Sequence, residues 1–175
     1  NHVLNLFKPQ KVLMTGRNLE KQKYKGNPLF KWPQHAGVLR TAWNTLILAV
    51  SRYMPLRIKN RVLRALGIEI GPNTAIGLGV QFDIFHPGKI SIGENSTIGY
   101  GTTILTHETT QDEFREGEVE IGDNVLIGAN TTALPGVKIG DGATVSAHSL
   151  VNRDVPEGEK YGGVPVQKLD SGDSD

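Results

Sequence analysis

Aliphatic residues return every six positions through the C-terminal two thirds of the chain. The series begins at Ile70 and restarts twice, after interruptions of four and of eleven residues. Ten of its twelve leading positions are Ile or Val, and seven of the residues that follow them are Gly. The fifth residue of the unit is Thr, Ser, Ala or Val in ten of the twelve units. The leading positions are Ile70, Ile76, Phe82, Ile92, Ile98, Ile104, Ile121, Ile127, Ala133, Ile139, Val145 and Val151.

A period of six is typical neither of an α-helix, whose apolar rows return at three, four and seven, nor of a plain strand of period two. We interpret each unit as a short strand and a turn, with the leading residue pointing inward and the small fifth residue at a corner. Stacked units let each backbone hydrogen-bond to the neighbouring coils. With three units per coil, the repeat predicts a mainly β, parallel solenoid of about four coils over residues 68–169.

The residues before the repeat show the three- and four-residue spacing of amphipathic helices. The spacing of Leu39, Trp43, Leu46 and Val50 predicts a helix over residues 36–54, which Pro55 ends. A second helix runs to residue 66 and places three arginines, Arg57, Arg61 and Arg64, on one face. Two interpretations stay open for the helical segment 36–67: a helix lying on an anionic membrane surface, or a cap that covers one end of the solenoid with its arginines in water.

Composition and charge divide the chain into two halves. Residues 1–67 hold 13 Lys and Arg but one acid, whereas residues 68–175 hold 6 Lys and Arg and 17 acids. The region 1–35 has no sustained apolar period, and we interpret it as an extended basic arm; residues 170–175 form an acidic tail. Such a basic half suits anionic lipid, an anionic cofactor, or the acidic half of the same protein or of its neighbour. Nucleic acid is not expected, because no platform of aromatic and basic residues is evident.

The chain contains no cysteine, which excludes disulfides, thiolate metal sites and a cysteine nucleophile. We therefore expect a cytoplasmic protein. The longest stretch without Asp, Glu, Lys or Arg has fourteen residues, 124–137, fewer than the roughly 20 that a membrane-spanning helix needs.

The two interruptions of the repeat are where catalytic or binding residues are expected. His107 stands at the start of the larger one, the loop 106–118, and an imidazole with a pKa near 6.5 can accept a proton at neutral pH. Asp83 and His86, at the first interruption, are candidates to bind or orient an acceptor hydroxyl; a solvated turn is the alternative. Glu108 and Asp112 are further candidates to orient the imidazole, and Asp112 is also a candidate to bind the acceptor.

The segment from Ile121 to Pro165, which includes Gly162-Gly-Val-Pro165, closely resembles the maltose, galactoside and xenobiotic O-acetyltransferases of the hexapeptide-repeat acyltransferase family. The resemblance extends over about residues 70–169. It implies a left-handed parallel β-helix, a homotrimer with sites shared between subunits, and acetyl transfer from acetyl-CoA to a hydroxyl or an amino group of a small acceptor. In that scheme His107 is the general base, and the backbone N–H of Ala129 binds the carbonyl oxygen as it gains negative charge.

The resemblance also assigns residues to coenzyme A. It places the pantetheine arm near Ala147, the 3′-phosphate near Arg153 and the adenine end near Pro165, with Leu126 on the wall beside the acyl group and Lys168 near the phosphates. No metal is implied. The competing functions are a gamma-type carbonic anhydrase, whose zinc needs three converging histidines, and a non-catalytic β-solenoid scaffold. No two of the five histidines are five residues apart, which disfavours the zinc enzyme.

Overall fold

The structure of the protein is a computed structural model that describes residues 10–14 and 16–169. The acidic tail 170–175 and the first nine residues of the arm lie outside the described residues. The N-terminal elements are β1 (Gln10–Met14), β2 (Arg17–Lys23), α1 (Pro33–Ala36), α2 (Val38–Ser51) and α3 (Leu56–Ala65). The short strands that follow are β3 (Glu69–Ile70), β4 (Ala75–Ile76), β5 (Gln81–Phe82), β6 (Ile90–Ile92), β7 (Thr97–Ile98), β8 (Thr103–Ile104), β9 (His107–Thr109), β10 (Glu113–Glu116), β11 (Val119–Ile121), β12 (Leu126–Ile127), β13 (Thr132–Ala133), β14 (Lys138–Ile139), β15 (Thr144–Val145), β16 (Leu150–Val151), β17 (Lys160–Gly162) and β18 (Gln167–Lys168).

The six-residue repeat folds into three parallel sheets that the chain visits in turn. The first sheet has the strand order β14-β11-β6-β3, the second β18-β17-β15-β12-β7-β4 and the third β16-β13-β8-β5. The leading residues stack in register, so that Ile70 lies beside Ile92, Ile92 beside Ile121, and Ile121 beside Ile139. These stacks form one continuous buried core, which confirms the predicted parallel β-solenoid. The handedness of the coil stays a prediction from the resemblance.

The corners of the solenoid explain the rest of the repeat. All ten small fifth residues are buried, and several of their hydroxyls bond to a carbonyl of the next coil, as Ser96 Oγ does to Gly122 O at 2.8 Å. A Cβ on Gly99 would lie 2.5 Å from Ala129 N, so the second position is glycine because neighbouring coils touch there. The fourth position, which the sequence pattern leaves unexplained, has a positive φ in nine of the twelve units. It is Asn73, Asn95, Asn124, Asn130 or His148 in five units and Gly in others.

Helices α2 and α3 cover the end of the solenoid at its first coil. Asn44 Nδ2 donates to Ile84 O at 2.9 Å, and from α3 Lys59 Nζ donates to Gly77 O at 2.8 Å. These contacts confirm that the segment caps the solenoid; they leave contact of its outward side with a membrane a prediction. No helix among the described residues is long and apolar enough to cross a membrane.

The face that each helix turns to the solenoid differs from the expected apolar one. Helix α2 buries Thr41, Asn44, Leu48 and Ser51, while its apolar stripe is exposed. The buried residues of α3 are Lys59, Asn60 and Leu63. The physical reason is the open end of the ladder: its first coil has carbonyl groups with no coil beneath them, and polar side chains of the helices supply the missing donors.

The expectation of an extended arm for residues 1–35 is wrong for its described part. Strands β1 and β2 form an antiparallel hairpin, and β2 pairs with β10 of the loop, whose other neighbour is β9. The four strands make a separate sheet at the side of the solenoid. Arg17 anchors it, because its guanidinium donates to Glu108 Oε2 at 2.9 Å. Two short 3₁₀ turns, Pro28–Lys31 and Pro87–Lys89, complete the chain.

Candidate active site

His107 begins strand β9, where the loop leaves the third sheet. Its ring packs against two phenylalanines, with centroids 4.5 Å from Phe85 and 5.7 Å from Phe114. Trp32 of the N-terminal segment stacks on Phe85 at 5.9 Å. The side chain of His107 keeps 19% of its surface exposed. Aromatic rings from both interruptions of the repeat thus pack against the imidazole, and one edge of the ring stays open.

The carboxylate of Asp83 holds the imidazole of His107 in place. The carboxylate lies 2.5 Å from His107 Nδ1 and has no exposed surface. Oδ1 accepts the backbone N–H groups of Phe85 and His86, at 2.8 and 3.2 Å. Oδ2 accepts those of Thr106 and His107, at 2.9 and 3.1 Å. The bonds to Oδ1 hold the first interruption in its own turn, and those to Oδ2 join it to the start of the loop.

The ionisation of Asp83 decides which nitrogen of His107 carries the hydrogen. Burial alone would raise the pKa of Asp83, but the hydrogen bond and charge of His107 and the backbone N–H groups lower it to about 2. An ionised carboxylate can only accept, so Nδ1 must donate. In the neutral ring Nε2 then holds the lone pair, and no described hydrogen bond engages it. This is the tautomer that a general base requires.

The expectation that Asp83 binds the acceptor directly is wrong, because its buried carboxylate is filled by the imidazole and four backbone N–H groups. Asp83 orients the imidazole instead. That task had been considered for Glu108 and Asp112. Glu108 instead pairs with Arg17 and Arg115. Asp112 lies exposed at the turn of the β9–β10 hairpin, several residues along the strands from the imidazole.

His86 lies beside this pair but faces another carboxylate. Its Nε2 is 3.4 Å from Glu116 Oε2, and Lys89 Nζ is 3.2 Å from Glu116 Oε1. Burial, the largest effect, lowers the pKa of His86, although Glu116 acts in the opposite direction. Glu116 is directly opposite His107 in the β9–β10 register, so both side chains share one face of the hairpin. Sequence reasoning missed Glu116 and the aromatic residues, since only the hairpin register and the tertiary packing reveal them.

Ala129 lies at a different corner, which we call the Ala129 corner: the turns 77–80, 99–102, 128–131 and 146–149 between the second and third sheets. Ala147 occupies the equivalent place one coil further, so the two stack. Neither backbone N–H has an acceptor among the described hydrogen bonds. Leu126, on the preceding strand, is half exposed, and Pro165 follows a cis peptide bond in the C-terminal loop beside β16. These residues form one edge of the solenoid.

Arg153 does not lie on that edge. It follows the third sheet at the His107 corner, the turns 83–89, 105–118, 134–137 and 152–155 that lead back to the first sheet. Its Cβ is close to Gly16 of the N-terminal hairpin, and its exposed guanidinium forms no described ion pair. Lys168, at the end of the second sheet, bonds to Glu159 at 2.6 Å. Within one chain, His107 and Arg153 therefore lie at one edge of the third sheet, and Ala129 and Ala147 lie at the other edge.

Among the described residues there is no group of three or more His, Cys, Asp or Glu that could hold a metal ion.

Comparisons with known proteins identify the family of the chain. The family model "Bacterial transferase hexapeptide (six repeats)" matches residues 118–153. The chain is 48% identical over 143 residues to YvoF of Bacillus subtilis (strain 168), a protein whose name carries a provisional acetyltransferase assignment; the match covers 81% of this chain and 83% of YvoF.

Two solved structures share the fold. The hexapeptide-repeat acetyltransferase VCA0836 of Vibrio cholerae O1 biovar eltor, in complex with acetyl coenzyme A, has a TM-score of 0.65 and 25% identity over 76% of this chain and 87% of its own. A maltose O-acetyltransferase of Clostridium difficile 630 has a TM-score of 0.57 and 17% identity over 75% and 85% of the two chains. The repeat, the parallel coil and the 48% identical relative together show that this chain belongs to the hexapeptide-repeat acetyltransferase family.

Proposed function

We propose that the protein transfers the acetyl group of acetyl-CoA directly to a hydroxyl group of a small acceptor, such as a sugar; an amino group is the alternative acceptor. The observation that carries this proposal is the His107–Asp83 pair. A buried, ionised carboxylate holds Nδ1–H, which leaves Nε2 as a proton acceptor at the open edge of the ring. The acetyl-CoA bound by the structural neighbour VCA0836 supports the choice of acetyl donor.

In this mechanism the acceptor hydroxyl binds at Nε2 of His107 and attacks the thioester carbonyl as the imidazole takes its proton. Asp83 stabilises the imidazolium that forms and keeps the ring from turning. The proton then passes to the departing CoA sulfur, so the thiol leaves neutral. Acetyl-CoA supplies the activated acyl group, and with no cysteine in the chain to carry it, a ternary complex without a covalent enzyme intermediate is the simplest scheme.

The unbonded backbone N–H of Ala129 suits the carbonyl oxygen that gains negative charge. It lies across the third sheet from His107 of its own chain. The site is therefore complete only if a second copy brings its Ala129 corner to the His107 corner of the first. We propose the homotrimer of the resemblance, in which three such pairings give three sites and closed symmetry. The left-handed coil belongs to the same proposal.

The described contacts are compatible with coenzyme A along the paired corners. The free N–H groups of Ala129 and Ala147 would face the pantetheine arm, with half-exposed Leu126 beside the acyl group and Pro165 at the adenine end. Arg153 and Lys168 would supply positive charge for the phosphates. We keep His86 as an acceptor ligand through its imidazole beside His107, and a cytoplasmic location as the site of action.

The experiment is a screen of acceptors by thiol release from acetyl-CoA, with product mass as the readout. It uses matched pairs that differ in one group, such as glucose and glucosamine, so that hydroxyl and amino acceptors are separated. We expect acceptor-dependent thiol release with an increase of one acetyl group on a hydroxyl. Products acetylated only on nitrogen would overturn the O-transfer proposal, and failure to bind acetyl-CoA in calorimetry would overturn the function.

A further inference from the structure

The cap of the solenoid carries an exposed apolar surface, which we call the outer face. In α2 it consists of Leu39, Trp43, Leu46 and Val50, spaced by four, three and four residues and thus on one side of the helix. Leu39 is 87% exposed and Trp43 60%. Other apolar side chains exposed on the cap are Tyr53, Leu56 and Ile58, at 70%, 44% and 52%, and Val38 at 54%.

Hydrogen bonds to the solenoid hold this face outward. Asn44, on the opposite side of α2, donates to Ile84 O, and Lys59 Nζ of α3 donates to the carbonyl groups of Ile76 and Gly77. Turning the apolar stripe inward would leave those carbonyls without donors. Soluble proteins rarely expose large contiguous apolar patches, and those that they expose commonly bind something.

The charges of the helical segment that carries the outer face are all positive. Residues 36–67 contain five arginines, one lysine and no acidic residue. Lys59 and Arg64 are engaged with carbonyl groups of the solenoid. Arg40, Arg57 and Arg61 are exposed and have no described ion pair. An apolar stripe with aromatic residues and flanking arginines is the pattern of helices that lie in the interface of an anionic bilayer.

We propose that the outer face binds the surface of an anionic lipid bilayer, with the apolar side chains of α2 among the headgroups and Arg40, Arg57 and Arg61 against the phosphates. A second copy of the chain is a poorer occupant. A two-fold contact through this face would set arginines against arginines. A contact between the cap of one copy and the acidic half of another would be heterologous, and such contacts continue into filaments unless they close.

This inference does not depend on the acetyltransferase proposal. The outer face lies at the end of the solenoid, whereas the His107 and Ala129 corners lie along its sides. Both can therefore operate together: a bilayer-bound cap would leave the side corners free to pair.

Trp43 provides the probe. The chain has two tryptophans, so Trp32→Phe leaves Trp43 as the fluorophore on the outer face. Vesicles of phosphatidylcholine with or without phosphatidylglycerol are added to the full chain at low and high salt. We expect a blue shift of emission and quenching by brominated lipid with phosphatidylglycerol vesicles, and weaker binding at high salt.

Two sets of substitutions separate the apolar and the charged contributions. Replacing Leu39, Leu46 and Val50 by Ser should weaken vesicle binding about 100-fold, because three side chains no longer leave water. Arg57→Ser and Arg61→Ser should each weaken it about fivefold. These positions are exposed, so circular dichroism should be unchanged. The matched control replaces Val164, which is 72% exposed in the C-terminal loop at the opposite end of the solenoid, by Ser and should bind like the parent.

The proposal is overturned if phosphatidylglycerol vesicles leave Trp43 emission unchanged, or if the apolar triple variant binds as tightly as the control variant. It is also overturned if the triple variant lowers the oligomeric mass in light scattering, since the outer face would then be an interface between copies.

Discussion

Replacing Asp83 by Asn tests the role of the buried carboxylate with almost no change in shape. The amide has one oxygen where the carboxylate has two, so either the N–H groups of Phe85 and His86 or those of Thr106 and His107 lose their acceptor. The lost charge also removes the partner that holds Nδ1–H. We therefore expect two separate losses, one in folding stability and one in turnover.

The loss of stability follows from the pKa of Asp83. It falls from 3.8 to about 2 in the folded protein, which corresponds to about 2 kcal/mol of stabilisation at neutral pH. Two backbone N–H groups left without an acceptor cost about 1–3 kcal/mol each, or about 2–6 kcal/mol together. The two routes overlap at the lower end of this range, and we expect a loss of about 2–4 kcal/mol. Because the folded pKa is depressed, this advantage of the wild type is complete above pH 3.8 and disappears as the pH falls towards 2.

The assays are urea unfolding at several pH values and steady-state thiol release. Turnover of Asp83→Asn should fall by about 10² to 10⁴, because the imidazole loses its fixed tautomer and its counter-charge. Glu108→Gln is the matched control: it removes a carboxylate next to His107 in sequence that pairs with Arg17 instead, and its turnover should stay close to the wild type. Wild-type turnover in Asp83→Asn, or equal unfolding free energies at neutral pH, would refute the reasoning.

Further predictions concern the subunits, the coenzyme and the cap. Mixing His107→Ala with Ala147→Arg subunits, each inactive alone, should restore about one quarter of the wild-type activity per site if each site joins corners of two chains; no recovery after exchange would place the site within one chain. Arg153→Ala should weaken binding of CoA more than of dephospho-CoA in calorimetry, whereas equal weakening would place the 3′-phosphate elsewhere. Lys59→Met should lower the unfolding free energy by about 2–4 kcal/mol, because carbonyls of Ile76 and Gly77 lose their donor. Exposed Arg57→Met is its control, and equal stability of the two variants would refute the capping role.

The solenoid could be predicted because its repeat is local. A residue every six positions is enough to specify which side chains stack, and Ile76, Ile98, Ile127 and Val145 do so in register. The place of His107 at the mouth of the loop followed from the same count. The hydrogen bond between His107 and Asp83 was harder to predict, since the two residues are 24 positions apart. Only the burial of the carboxylate shows that it faces the imidazole rather than a substrate.

The N-terminal part was predicted less well because distant contacts decide it. The amphipathic period of α2 is real, but the open carbonyl groups of the first coil choose which face turns inward. Likewise, the strand that begins at Arg17 owes its place to Glu108, 91 residues away, and to pairing with β10. No local apolar pattern predicts either contact. From the sequence alone, a strand made mostly of polar and charged residues looks the same as an extended arm, because only its pairing partner distinguishes the two.

The most direct test of the central claim is the turnover of His107→Ala beside its affinity for CoA. If Nε2 of His107 removes the acceptor's proton, thiol release should fall by about 10² to 10⁴, while the dissociation constant for CoA and the unfolding free energy stay near those of the wild type. Full acceptor-dependent thiol release by His107→Ala would contradict the account.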